Sequence, residues 1–230
     1  EDDNGNDTDY TIGTDGTIAA VALEDGYGDE FGIIKGEEAY LNINTIIKNI
    51  DKRFYVDATN NLVMFTDATK TYKTKIGGKT INETENTDYV ISFMDGKNCY
   101  VNVKFVKKYV DFDYKVVKAE GKSPARIVLK YTSGEKNQMT VKSNIEMRTK
   151  ADYQNLIVTT LKKNTKVTVL EESGDWTKVG TDDGFMGYVP AKKLKDKETK
   201  KTEFKSDADT YTHVLMNKKI SLGWNAITNL

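Results

Sequence analysis

LKKNTKVTVLEESGDWTKVGTDDGFMGYV, running from Leu161 to Val189, decides how the second half of this chain folds. The alternation at Val167/Val169 and at Trp176/Val179 predicts two strands, each laying one face on the core of a small barrel. Gly187 permits a close backbone approach just before the Tyr188-Val189 strand.

Working outward, Ile145-Glu-Met147-Arg148-Thr-Lys precedes this stretch and Leu194 follows it. The order is apolar-x-apolar-Arg, leucine, Lys-x-apolar-x-apolar-Leu, Gly-x-Trp-x-x-Val and Asp-Gly…Gly-Tyr-Val. It resembles the bacterial SH3-like (SH3b) domain. Met147 stands in place of a more usual valine, and Thr149-Lys150 replaces a small Ser-Gly turn. The resemblance implies an all-β SH3-like small barrel over residues 140–195. It also implies a partner: SH3b domains of wall hydrolases hold the enzyme on peptidoglycan, often through its peptides.

Upstream the chain repeats itself. Gly36, Tyr40, Asn42 and Asp51 recur as Gly96, Tyr100, Asn102 and Asp111, a constant offset of 60 positions. Each copy reads as strand, glycine turn, tyrosine and short helix. Asn42 and Asn102 are suited to accept an otherwise orphaned helical N–H. Ile43, Ile46, Ile47 and Ile50 make an i, i+3, i+4, i+7 stripe, repeated by Val103, Val106 and Val110. A β segment, a turn and a second β segment follow each helix: Arg53–Val56 and Leu62–Phe65, then Tyr114–Val117 and Ala125–Tyr131. The expectation is an α+β duplicated module (strands with short helices) over residues 18–135. It resembles the domain named after the N-terminal region of copper amine oxidases, although Asn42 and Asn102 replace the usual proline. The usual tryptophan is missing, with Phe54-Tyr55 and Tyr114 nearby. That resemblance implies a spacer or binding platform and nothing of copper or oxidation.

Residues 1–17 are acidic, Gly-containing and nearly devoid of apolar side chains, which predicts a flexible tail. The Asp/Asn spacing from Asp3 to Asp9 is faintly similar to a calcium loop, but Thr14 stands where a bidentate Glu is required. Gly134–Gln138 reads as a polar connector and Lys192–Lys205 as a Lys-rich linker. Within residues 196–230, Lys219-Ile-Ser-Leu222-Gly-Trp224 resembles the first barrel strand of family 18 glycoside hydrolases, the chitinase-like group. On that resemblance the chain ends inside a missing catalytic barrel. The other reading is a terminal strand that pads the SH3b barrel.

Ten carboxylates and no Lys or Arg lie between Glu1 and Ile34, leaving 34 basic against 25 acidic residues from Lys35 onward. A basic body could favour an anionic polymer such as nucleic acid or a Gram-positive wall, but no ordered basic-aromatic arrangement supports nucleic acid. No stretch approaches the roughly 20 apolar residues of a membrane span. A lone cysteine, Cys99, excludes an intrachain disulfide and leaves the compartment open.

Catalytic chemistry is not expected in this chain. Family 18 enzymes use an Asp-x-x-Asp-x-Asp-x-Glu strand, and that spacing does not occur. Asp111/Asp113 reads as a pair of solvated turn residues. Cys99 occupies the place of Ala39 in the other repeat and reads as a small buried filler. With one histidine, no His-rich metal site is possible. No cofactor is expected. Binding remains, with Tyr153, Asp175, Trp176, Phe185 and Tyr188 as candidate groove residues and Arg148 as a carboxylate partner. Trp176 and Tyr188 could equally be core, whereas Tyr153 and Phe185 are expected in exposed loops. The expected protein is a monomer, extracellular and wall-associated. It is either the targeting arm of a family 18 hydrolase acting on N-acetylglucosamine-containing glycan or a stand-alone structural or adhesive surface protein.

Overall fold

The computed structural model describes residues 16–206. Of these, 52% lie in strands and 9% in helices. The expected α+β module is therefore better described as mostly β, because its helices are only one or two turns long.

The first part holds β1 (Thr17–Ala22), β2 (Gly32–Lys35), β3 (Glu38–Asn42), β4 (Phe54–Asp57), β5 (Leu62–Thr66), β6 (Thr71–Lys75), β7 (Thr80–Ile81), β8 (Glu85–Asn86), β9 (Ser92–Asp95), β10 (Asn98–Asn102), β11 (Asp113–Val117) and β12 (Arg126–Lys130). Helix α1 (Ile43–Thr45) runs on as a π-helical turn over Ile46–Ile50, and α2 spans Val103–Tyr109. The main sheet has the order β11-β12-β1-β2-β3-β10-β9, with β4-β5-β6 as a separate three-stranded sheet.

The duplication is visible in the hydrogen-bond register. β3 and β10 pair antiparallel with Tyr40 opposite Asn102, Leu41 opposite Val101 and Asn42 opposite Tyr100. Equivalent residues thus face each other across a local two-fold axis between Leu41 and Val101. Both expected caps form: Asn42 Oδ1 accepts from Asn44 N and Asn102 Oδ1 from Lys104 N, each at 2.9 Å. Ala39 and Cys99, equivalent in the repeat, are both buried. Burial pushes the Cys99 thiol up to about 12, which makes thiolate chemistry at neutral pH unfavourable.

The isoleucine stripe is only half realised. Ile43 and Ile46 are buried, while Ile47 is 37% exposed. Asp51 N donates to Ile46 O at 2.9 Å, an i→i+5 bond that widens the turn and rotates Ile47 away from the core. The module core is aromatic: Phe54 and Phe65 are 4.7 Å apart, and Phe65 stacks on Tyr109 at 4.7 Å.

The second part is one sheet of seven strands: β13 (Gly134–Val141), β14 (Ile145–Arg148), β15 (Ile157–Leu161), β16 (Lys166–Ser173), β17 (Trp176–Gly180), β18 (Met186–Pro190) and β19 (Leu194–Thr202). Their order is β15-β14-β18-β17-β16-β13-β19, around a core of Val141, Met147, Leu161, Val167, Val179, Val189 and Leu194. Two expectations fail here. The Gly134–Gln138 connector is the start of β13, and most of the Lys192–Lys205 linker is β19. The two strands pair from Gly134↔Thr202 to Val141↔Leu194. Past Leu194 the side chains of β19 are exposed or only half buried, so pairing satisfies the backbone without leaving an apolar alternation in the sequence. The acidic stretch through Asp15 and the Lys219–Trp224 run lie outside the described residues.

The two parts are joined by the loop Asp182–Phe185. Gly184, at φ +85°, sits against Ala22 and Val128, and its carbonyl accepts from Tyr27 Oη at 2.8 Å. Arg126, 3% exposed, donates to Asp183 O at 2.6 Å and to Pro124 O at 2.8 Å, with its guanidinium 4.0 Å from the Phe185 ring centre. Lys130–Asp182 at 2.9 Å and Lys136–Glu24 at 2.7 Å flank this joint.

Candidate functional site

Strand alternation places the candidate residues. In β17, Thr177 and Val179 point into the barrel core, so Trp176 and Lys178 point outward. Trp176 and Val179 are three positions apart and cannot share a face, contrary to the expectation. In β18, Val189 is buried and Tyr188 faces outward, directly opposite Lys178 on one side and Arg148 on the other. Both Trp176 and Tyr188 are half buried, and neither is among the side chains that make up the barrel core.

The loop between β14 and β15 supplies the rest of the face. Tyr153, 58% exposed, leans on Trp176 with ring centres 4.8 Å apart and a 60° tilt. Two side chains absent from the sequence reading extend the patch: Leu156 at 78% exposure and Ile157 at 51%. The Leu156-Ile157 pair at the end of a polar loop was their available signal, since adjacent residues entering a strand cannot both turn inward. Lys178 carries no local sequence signal, because its place on the face depends on the register of β14, β17 and β18.

Arg148 has a different role from the expected carboxylate clamp. Its Nη1 donates to Asn155 O at 2.7 Å and its Nη2 pairs with Glu146. Thr149 N donates to Leu156 O at 2.9 Å, so Arg148 and this bond together tie down the loop that carries Tyr153. Asp175 lies at the exposed tip of the β16–β17 hairpin, where Gly174 turns at φ +58°. Its carbonyl accepts from Ala191 N at 2.8 Å.

Phe185 does not join this face. It is half buried, packs on the barrel core and lies under the Arg126 guanidinium. The Asp-Gly-Phe loop read as an exposed ligand loop is the docking element between the two parts. The structure thus brings together Arg148, Tyr153, Trp176 and Tyr188, places Asp175 beside them at the hairpin tip, and removes Phe185.

The assembled face is an aromatic step, exposed at Tyr153 and half buried at Trp176 and Tyr188, with a cationic neighbour, Lys178, whose Nζ donates to Asp25 O at 2.9 Å. It offers stacking surfaces and hydrogen-bond donors. Asp111 and Asp113 are both exposed and lie on the other part of the molecule. No helix among the described residues is long and apolar enough to cross a membrane.

Comparison with known families assigns residues 143–195 to the bacterial SH3 domain. No curated protein and no solved structure matches the chain.

Proposed function

We propose that this chain is a non-catalytic, extracellular cell-wall-binding region in which the face of Tyr153, Trp176 and Tyr188 takes hold of peptidoglycan. The observation that carries the reading is the surface Tyr153–Trp176 pair, in which Tyr153 is exposed and Trp176 half buried. Two large aromatic rings held in contact at the surface of a small barrel, by a loop tied down through Arg148, add nothing to that barrel's core. Aromatic faces of this kind stack on sugar rings and on the apolar parts of peptides, with fixed polar groups setting orientation.

Co-sedimentation with purified sacculi tests it, with chitin and DNA as competing supports. The chain should pellet with sacculi. Tyr153→Ala and Trp176→Ala should each weaken binding by about 1–2 kcal/mol, roughly five- to thirtyfold, with circular dichroism unchanged. Unaltered binding by both variants would remove the face from the mechanism.

The finer reading makes this region the targeting arm of a family 18 glycoside hydrolase. It is supported by the similarity of Lys219–Trp224 to that family's first barrel strand. The alternative is a structural or adhesive surface protein anchored by the same barrel. An Asp-x-x-Asp-x-Asp-x-Glu strand encoded downstream of Leu230 in the native gene would favour the first, and a stop codon there the second.

A further inference from the structure

Between the barrel and the first sheet lies a cleft of about 300 Å³. One wall is the outer face of β13, β16 and β17. Gln138, Thr168 and Gly180 form one cross-strand row there, with Lys136 and Lys200 paired in a neighbouring row. Ala22, Val128, Met186 and Leu170 give the cleft an apolar floor. Beyond the Lys130–Asp182 ion pair the cleft continues into a second hollow of about 350 Å³, lined by Tyr114 and Lys115.

The charges along this cleft do not cancel. Lys130 pairs with Asp182, Lys136 with Glu24, Lys201 with Glu203, and Asp113 with Lys107. Lys200 and Lys115 have no ion-pair partner among the described residues. Both lend charge to Asp182, whose carboxyl is held below its ordinary range first by the hydrogen bond from Lys130. That carboxylate is already neutralised, so two ammonium groups remain over. The half-buried side chains of Gln138 and Thr168 likewise make no hydrogen bond among the described residues. An amide and a hydroxyl on one wall, an apolar floor and surplus positive charge at one end complement a small molecule with matching parts.

We infer that this cleft binds a short peptide with a free C-terminal carboxylate, of two or three residues. Its carboxylate meets Lys200 and Lys115, its amide groups pair with Gln138 and Thr168, and small side chains rest on the Ala22–Val128–Met186 floor. A bare phosphate would use the ammonium groups and leave the floor and the amide unused. The site is separate from the Tyr153–Trp176 face and stands independently of it.

The test is a ¹⁵N-resolved NMR titration of the whole chain with N-acetyl-alanyl-alanine, run in parallel with its C-terminal carboxamide. The acid should give saturable shifts at the amides of Gln138, Thr168, Gly180 and Lys200. The carboxamide should bind at least about tenfold more weakly, as should the acid to Lys200→Gln, because each comparison removes a charge-assisted hydrogen bond. Gly180→Val provides a block that does not depend on charge. A Cβ at Gly180 meets Leu170 and Met186 at 3.6 Å, ordinary contact, so a side chain can start there beside the floor, and the spectrum of the free variant checks that the fold accepts the two methyl groups beyond it. Binding should then be lost with the rest of the spectrum in place. Absence of saturable shifts with the acid, equal affinity for acid and carboxamide, retained binding in Gly180→Val, or shifts confined to the Tyr153–Trp176 face would each overturn the proposal.

Discussion

Gly184 and Gly36 both have positive φ, +85° and +59°, yet only one of them bears on the joint between the two parts. A Cβ at Gly36 would meet nothing within 4 Å, whereas one at Gly184 would lie 2.7 Å from Val128 Cγ2 and 3.1 Å from Ala22 Cβ. Gly36→Ala should therefore cost only the left-handed backbone penalty, about 1 kcal/mol. Gly184→Ala adds a clash with β12 and should cost at least about 2 kcal/mol more. Urea unfolding of the two variants measures the difference, and equal losses would show that the Asp182–Phe185 loop is not clamped on the first part. The sequence offered Gly184 only as half of an Asp-Gly turn. Nothing local distinguishes a turn that closes a hairpin from one pressed against another sheet, so the sequence alone does not show that Phe185 faces the first part. Its neighbour in space, Arg126, is 59 positions away in sequence. Trp176 and Tyr188 were legible as large aromatic residues of a barrel. Their direction was fixed by counting along each strand from a buried valine, Val179 for one and Val189 for the other.

Among the elements, legibility followed burial. Strands with one apolar face, such as β14, β16 and β18, stood out, and so did the two capped helices, whose Asn side chains act within one turn. β13 and β19 leave little trace in the sequence because their residues are mostly polar and none between Gly134 and Thr140 or between Lys195 and Thr202 is fully buried, so the ribbon needs no hydrophobic period. The small β7–β8 hairpin shows the converse, a turn whose chemistry is poor in the sequence yet present in the structure. Asn82 and Glu83 both adopt positive φ, 49° and 62°. Asn82 secures its place by exchanging bonds with Lys73: its N–H donates to Lys73 O at 2.8 Å, and its Oδ1 accepts from Lys73 N at 2.9 Å. Glu83 makes no such bond among the described residues, and it carries the left-handed penalty with a side chain that glycine lacks. Glu83→Gly should stabilise the fold by about 0.5–1 kcal/mol, the steric relief exceeding the added freedom of the unfolded chain. A raised midpoint in chemical denaturation would be the sign. Asn82→Ala should act in the opposite direction, since it leaves the Lys73 N–H without its acceptor.

At the scale of the whole molecule, the joint between the two parts couples their stability to pH. Glu24 is the group to follow. Burial alone would raise its carboxyl, but the ammonium of Lys136 and the backbone N–H of Thr132 outweigh that and hold it below the ordinary value of 4.5. Tyr131 N donates to the same oxygen at 3.2 Å, so one carboxylate fastens the end of β12, the start of β13 and the loop after β1. A carboxyl depressed in the folded state adds stability at pH values above its unfolded pKa. That stability is lost as pH falls through the folded value. Thermal midpoints should therefore be flat from neutrality to about pH 5 and decline below about 4.5. Asp57, Asp67 and Asp182 are depressed as well and contribute to the same decline, so the wild-type curve cannot isolate Glu24. The difference between wild type and Glu24→Gln can. That variant keeps the shape of the side chain but loses its charge, so its midpoint should lie lower at pH 7 and converge on wild type near pH 3. Two curves that stay parallel across this range would mean that Glu24 titrates alike in folded and unfolded chains, and the fastening between the two parts would then rest on its other contacts, Arg126, Gly184 and the Lys130–Asp182 pair among them.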